Sequence, residues 1–213
     1  MTKGGTAHPV DSMTQVHFEP TTHTYTLNGR RMPSVSEILR DAGLVDGRWW
    51  TDEGRTRGQY VAQLTHYYDD GDLDFDSLTP ELKGYLDSWR AFRNMTKCEI
   101  LSAEEVVVNE ALGYAGTLDR RIRWNHREKL IDIKLGSSQP FHRVQTALYA
   151  MTFPRRMDRG NVILGPKPGK FKWIPHEDKT DFQVAQSAAV VVAFRRLHGL
   201  IEENPNARDN QSA

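Results

Sequence analysis

Three consecutive segments, Glu99 to Val108, Gly116 to Trp124 and Lys129 to Gly136, carry strand-like patterning and are joined by short connections. A period of two is that of a pleated strand with one face turned to a core. Connections this short favour antiparallel neighbours, because a parallel pair needs a crossover of a dozen or more residues. The middle of the chain therefore predicts three adjacent antiparallel strands, with Asn125 to Arg127 as the turn between the second and third. One face of such a sheet must be buried by other elements.

Those elements are legible on either side. Val61, Leu64 and Tyr68 lie at helical spacing in a segment from Asp52 to Tyr68, and Leu82, Tyr85, Leu86, Trp89 and Phe92 form the stripe of another from Pro80 to Met95. Pro140 to Thr152 returns to helical spacing, and the Pro-Gly punctuated stretch from Val162 to Ile174 predicts a hairpin. Thr180 and Gln183 have the spacing of a cap on a long closing helix. Nearer the start, Val16 to Met32 alternates around Asn28-Gly29, which predicts a small amino-terminal β-hairpin. Ser34 and Glu37 then have capping-box spacing on a short helix that Gly43 ends. The predicted class is α/β (α+β), a central mixed sheet flanked by helices, in one domain over residues 15–204. The polar ends, 1–14 and 205–213, are expected to be disordered.

Charge and composition narrow the partners. Lysine and arginine total 28 and aspartate and glutamate total 28, so a polyanion would have to be met by a local basic patch. Cys98 is the only cysteine, which excludes an internal disulfide framework and an iron-sulfur cluster built on four cysteines. No apolar run approaches the roughly 20 residues of a membrane span, and the polar start lacks the apolar core of a signal peptide, so a cytoplasmic protein is expected.

Chemistry concentrates in Leu130-Ile131-Asp132-Ile133-Lys134-Leu135. Alternation puts Ile131, Ile133 and Leu135 on one face and Asp132 and Lys134 on the other. Asp119 closes the run Gly113-Tyr114-Ala115-Gly116-Thr117-Leu118-Asp119 on the neighbouring strand, so the two carboxylates can converge. Such a pair attracts a hard divalent cation, and a lysine beside it can orient or deprotonate an attacking water and offset charge growing on a phosphate. Asp-x-Lys alone is more often a surface ion pair. Here it is followed by His142, Gln145 and Tyr149 at helical spacing on one helix face, while Val144, Leu148 and Met151 take another.

The ordered set of 113–119, Ile-Asp-Ile-Lys (131–134) and Gln-x-x-x-Tyr (145–149) resembles the RecB-like branch of the PD-(D/E)XK nucleases, to which phage recombination exonucleases are also similar. The resemblance is close over residues 99–153 and looser over 16–95. It implies a restriction-endonuclease-like core, a magnesium- or manganese-dependent deoxyribonuclease with one or two ions, and DNA as substrate. By the same resemblance Asp119 and Asp132 are metal ligands with the Ile133 carbonyl, Lys134 is the catalytic lysine, and Gln145 and Tyr149 support the site and touch DNA. The family also has an acid on the preceding strand. Glu104 and Glu105 compete for it, and Glu105 is preferred because Val106 and Val108 then share the opposite face. A family histidine follows an Arg-Gly pair. Arg57-Gly58 is present, but Ala62 stands at that position, leaving His66, one turn on, as a displaced ligand or a packing residue.

DNA contacts are expected from Arg120, Arg121 and His142, and from Lys170 and Lys172 in a basic run that includes Arg155, Arg156, Arg159 and Lys167. Gly165 to Lys170 lacks the pattern of an ATP-binding phosphate loop. The functions that follow are an exonuclease of phage-type recombination or repair, working with a recombination or single-strand-binding protein, a structure- or sequence-selective endonuclease with the same core, and a catalytically silent nucleic-acid-binding protein. No sequence feature fixes an oligomeric state.

Overall fold

The structure, a computed structural model, describes residues 16–45 and 51–201. The segments 1–14 and 205–213, expected to be disordered, lie outside the described residues. Three short strands, β1 (Val16–Glu19), β2 (Thr24–Leu27) and β3 (Arg30–Met32), form an antiparallel meander. Leu27 pairs with Arg30 across Asn28-Gly29, whose φ values of 50° and 79° are those of a tight two-residue hairpin turn. The predicted hairpin is therefore present with one strand more.

A five-stranded sheet follows, in the order β4 (Glu99–Asn109), β5 (Tyr114–Trp124), β6 (Arg127–Leu135), β7 (Asp158–Leu164), β8 (Phe171–Pro175). All pairs are antiparallel except β6 and β7, which are joined by the crossover helix α4 (Pro140–Ala150). The small sheet joins the large one where the Pro33 carbonyl accepts the Ala115 N–H at 3.0 Å and Tyr25 and Met32 pack on Ala115.

Helices cover both faces. On one side α1 (Val35–Asp41), α4 and α5 (Thr180–Leu197) bury Val35, Ile38, Leu118, Leu130, Leu148 and Val192 together. On the other, α2 (Asp52–Asp70) and α3 (Pro80–Thr96) enclose Val61, Trp89, Phe92, Ile122, Ile131 and Val162. Burial of one such aromatic or aliphatic side chain contributes on the order of 2 kcal/mol, so each layer is held by its own stripe. The capping box at Ser34 and Glu37 forms as predicted, with Glu37 N–H donating to Ser34 Oγ at 3.0 Å and Ser34 N–H to Glu37 at 2.8 Å. The cap on α5 differs. Lys179 already has helical backbone angles and contributes no side-chain cap, and the Asp178 carboxylate accepts the Thr180 N–H at 2.9 Å instead. Thr180 is thus inside the first turn, and its hydroxyl also donates to Asp178 at 2.8 Å.

Candidate active site

In β6 alternation holds: Ile131, Ile133 and Leu135 pack on the α2/α3 side, and Asp132 and Lys134 face the side of α4. The β5–β6 ladder runs from Trp124↔Arg127 to Arg120↔Ile131 and stops there. One residue further on, the Asp119 carboxylate accepts the Ile133 N–H at 2.7 Å, a side chain taking the place of the missing ladder partner. Asp119 and Asp132 therefore meet where β5 turns away from β6.

Asp132 is 1% exposed. Its two oxygens accept from Lys134 Nζ at 3.0 Å and from Asn161 Nδ2 at 2.6 Å. Burial above all pushes its carboxyl up to about 7; Lys134 pulls it down and the Asp119 charge adds to the rise. Lys134 shows the complementary balance: burial favours its neutral form, but the charges of Asp132 and Asp119 more than offset this and raise its pKa above the ordinary lysine value. Lys134 accordingly stands in this site as a charged ammonium that donates hydrogen bonds. Asn161, fully buried opposite Asp132 on β7, was not singled out in the sequence; the signal was a lone amide beside the apolar run Val162-Ile163-Leu164.

Of the two glutamates of β4, Glu105 takes the face of Val107 and Leu118 that alternation predicts, yet it is Glu104 that interacts with the acidic pair. Alternation does turn Val107 into the core of the α4 side, but the Glu105 carboxylate is bonded to Ser102 and to Arg121 Nε at 3.0 Å. Glu104 is the one that feels the acidic pair: burial first, then the charges of Asp119 and Asp132, raise it to about 7 against the pull of Arg120. Counting by two misses this because Glu104 itself has a left-handed φ of 48°, which departs from the extended backbone on which alternation depends.

Arg120 is not available to DNA. It is 0% exposed, with Nε donating to Asp69 at 2.7 Å, its Nη atoms to Glu104 at 3.3 Å, Thr65 at 3.2 Å and the Asp119 carbonyl at 2.6 Å, and its plane over Trp89. Asp69 and Thr65 on α2 thus fix β5 just where it departs from β6. Arg121 is also occupied, by Glu105 and Glu128. His142 is buried, and its Nδ1 accepts the Gln139 N–H at 3.1 Å as part of the α4 cap. Burial first, with Lys134 and His176, lowers its pKa to about 3, so it presents no cation to a phosphate.

Gln145 and Tyr149 do reach the site. The pKa of the Tyr149 hydroxyl is driven up by burial and by the charges of Asp132 and Asp119, against the pull of the neighbouring Gln145 side chain. Gln145 Oε1 is buried and has no hydrogen-bond partner among the described residues. Tyr149 also explains Gly116: a Cβ there would lie 2.8 Å from the Tyr149 ring and 3.0 Å from Val35, so only glycine admits the ring. The glycine of the 113–119 run and the tyrosine of α4 are two halves of one contact.

His66 is on α2, with its described contacts to its own helix. Its Nδ1 is 3.5 Å from Asp70, its ring is beside Tyr67, and none of its described contacts is with the acidic pair. Lys170 and Lys172 are exposed and make no ion pair among the described residues. Among the described residues no three His, Cys, Asp or Glu side chains form a ready metal cage. A magnesium ion needs only one or two protein carboxylates, with water and substrate oxygens completing its octahedron. Asp119 and Asp132 could supply the two carboxylates of such a site, with Glu104 near enough to feel their charge.

No protein-family profile matches the sequence, and no curated protein matches it. Solved structures do. A Eubacterium rectale protein described as a candidate exonuclease aligns over 80% of this chain and 83% of its own, with a TM-score of 0.52 at 13% identity. The structure of SSO0001 aligns over 84% and 89% at 15% identity, with a TM-score of 0.36 that carries no weight. The mixed five-stranded sheet between two helical layers, with its small amino-terminal sheet, is a fold this chain shares with the Eubacterium rectale protein.

Proposed function

We propose that the chain is a metal-dependent deoxyribonuclease of the PD-(D/E)XK type, RecB-like in its motif order, acting as an exonuclease in phage-type recombination or repair. The observation that carries this reading is the meeting of Asp119, Asp132 and Lys134 where the β5–β6 ladder ends. Magnesium or manganese bound by Asp119, Asp132 and the Ile133 carbonyl, with Glu104 beside them, would supply Lewis-acid polarisation of the phosphate and a more acidic water. The chain's own groups do the rest. Lys134, held by Asp132, donates to the phosphate oxygen on which negative charge grows, and its fixed position avoids reorganisation as the bond to water forms. Arg120 is a positioning residue that holds Glu104 and the Asp119 backbone. Gln145 offers a buried carbonyl, without a partner among the described residues, to a donor on water or substrate, with Tyr149 beside it on α4. Attack of water on phosphorus forms a new P–O bond as the bond to the sugar oxygen breaks; the water releases one proton to solvent and the leaving oxygen takes one up from solvent.

The decisive assay compares end-labelled linear duplex, linear single strands and covalently closed circular DNA, each with magnesium and with chelator. Metal-dependent loss of the linear forms alone is expected. Equal cutting of the circle would replace exonuclease by endonuclease, and binding without hydrolysis of any form would leave a nucleic-acid-binding protein.

A further inference from the structure

The register of the sheet places a second lysine on the rung of Lys134. Lys134 pairs with Ile163, and Ile163 with Lys172, so all three side chains share the face that carries Asp132 and Asn161. Phe171 and Trp173 turn the other way, into the α2/α3 layer, which fixes the outward direction of Lys172. Two strand spacings separate the Lys134 and Lys172 backbones, about 10 Å. β8 is the edge of the sheet, and the loop before it carries Lys167 and Lys170. None of these three lysines is neutralised by a carboxylate among the described residues.

That loop is held unusually firmly for a lysine-bearing hairpin. Ser88 Oγ on α3 accepts the Lys170 N–H at 3.1 Å and lies 2.9 Å from the Gly165 carbonyl and 3.0 Å from that of Lys167, its single hydrogen serving one carbonyl at a time. Beside it Gly84 sits directly against Pro166: a Cβ would come within 1.7 Å of the Pro166 carbonyl oxygen. The Gly165 N–H donates to Lys170 at 2.7 Å to close the turn. Three unpaired ammonium groups are thus mounted on a backbone that α3 has fixed before any ligand arrives.

We infer that Lys172, Lys170 and Lys167 form a phosphate track, along which the nucleic-acid strand leaves the Lys134 rung across β8 and over the β7–β8 loop. This rests on the nuclease reading and adds the direction in which the substrate lies. A lysine on an edge strand also discourages edge-to-edge pairing. That role needs no fixed loop and no shared rung, and the test separates it from the track.

In an Asp132→Asn background, which keeps DNA uncut, binding of a labelled oligonucleotide is followed by anisotropy between 50 and 200 mM salt, with and without Lys167→Ala, Lys170→Ala and Lys172→Ala together. Each lost phosphate contact should lower the slope of log affinity against log salt by about 0.7 to 0.9, so a fall of about two is expected, with affinity at 0.1 M salt reduced at least about tenfold. With Asp132 restored, KM should rise by a similar factor and kcat change less than about twofold. Ser88→Ala keeps every charge and loosens the loop, so it should weaken binding with the slope unchanged; if it does not fold, the lysine variants decide alone. An unchanged slope and KM, or aggregation as the sole effect, overturns the track. Absence of hydrolysis by the wild-type protein overturns the nuclease reading instead, and the two failures are read from different proteins.

Discussion

Asp119 closes the gap between β5 and β6 by accepting the Ile133 backbone N–H at 2.7 Å. One carboxylate oxygen thereby orients the acid and ties together two strands that have ceased to pair, leaving the other oxygen for a cation. Asp119→Asn can keep an amide oxygen for Ile133 but loses the charge. It is expected to remain folded in urea titrations while metal-dependent cleavage falls at least about a hundredfold.

Lys134→Ala should lower kcat by about 10²–10³, the cost of removing one preorganised donor from a developing oxyanion, with oligonucleotide affinity changed only a few-fold. Single-turnover cleavage and anisotropy on the same variant measure the two quantities. Unchanged cleavage would return Lys134 to an ordinary ion pair with Asp132.

Glu104 and Asp132 both have folded pKa values of about 7, against ordinary values of 4.5 and 3.8. The folded state holds their protons more tightly than the unfolded one, so the resulting stabilisation is complete below about pH 4 and is lost as the pH rises through about 7. His142 and His176, lowered to about 3 and about 4, act in the opposite sense, but only below their ordinary value of 6.5. Comparing cation-free wild type with Glu104→Gln isolates the carboxyl effect: the Tm advantage of the variant should grow from pH 5.5 to pH 8. Magnesium should raise the wild-type Tm more at pH 8 than at pH 5.5, by about 2–4 °C for each kcal/mol regained at this chain length.

Arg120→Met should cost about 3–5 kcal/mol in urea unfolding, because Asp69 and Glu104 would lose their buried guanidinium. A variant that lowered the salt slope of DNA binding without losing stability would show that Arg120 reaches the substrate after all.

Gly116→Ala drives a methyl group into the Tyr149 ring and Val35, and overpacking of that kind costs about 1–3 kcal/mol. Tyr149→Leu removes the ring and should recover part of the loss, so a double-mutant cycle on Tm should show coupling between the two positions. Strict additivity would mean that the two do not touch.

Much of this molecule can be read from local chemistry. The Asn28-Gly29 turn, the capping box at Ser34 and Glu37, and the faces of β6 depend on residues within a few positions of one another, and each forms as the spacing requires. The same reasoning lets Asp119 and Asp132 converge across the turn at Asn125 to Arg127, which the structure tightens to Asn125-His126 between the paired Trp124 and Arg127. Failures arise where distant elements decide. Arg120 looks like a surface cation until Asp69 and Thr65, 51 and 55 residues away in the chain, enclose it. His142 becomes a buried helix cap through the packing of α4. Glu104 comes to feel the acidic pair because its left-handed backbone breaks the alternation on which the choice relied. Asn161 needs the parallel pairing of β6 with β7 before it can be seen opposite Asp132.

The place of β6 in the strand order has a consequence for how this protein loses activity. β6 is the central strand of the sheet. Although its pairing with β5 ends at Ile131, its ladder to β7 runs on to Leu135 and Asp119 holds the Ile133 N–H, so the amides around Asp132 and Lys134 are expected to exchange with solvent late. Edge strand β8 and the amino-terminal meander can open locally while the acids and the lysine keep their spacing. Heat or denaturant should therefore weaken substrate capture first and abolish bond cleavage only when the molecule unfolds as a whole.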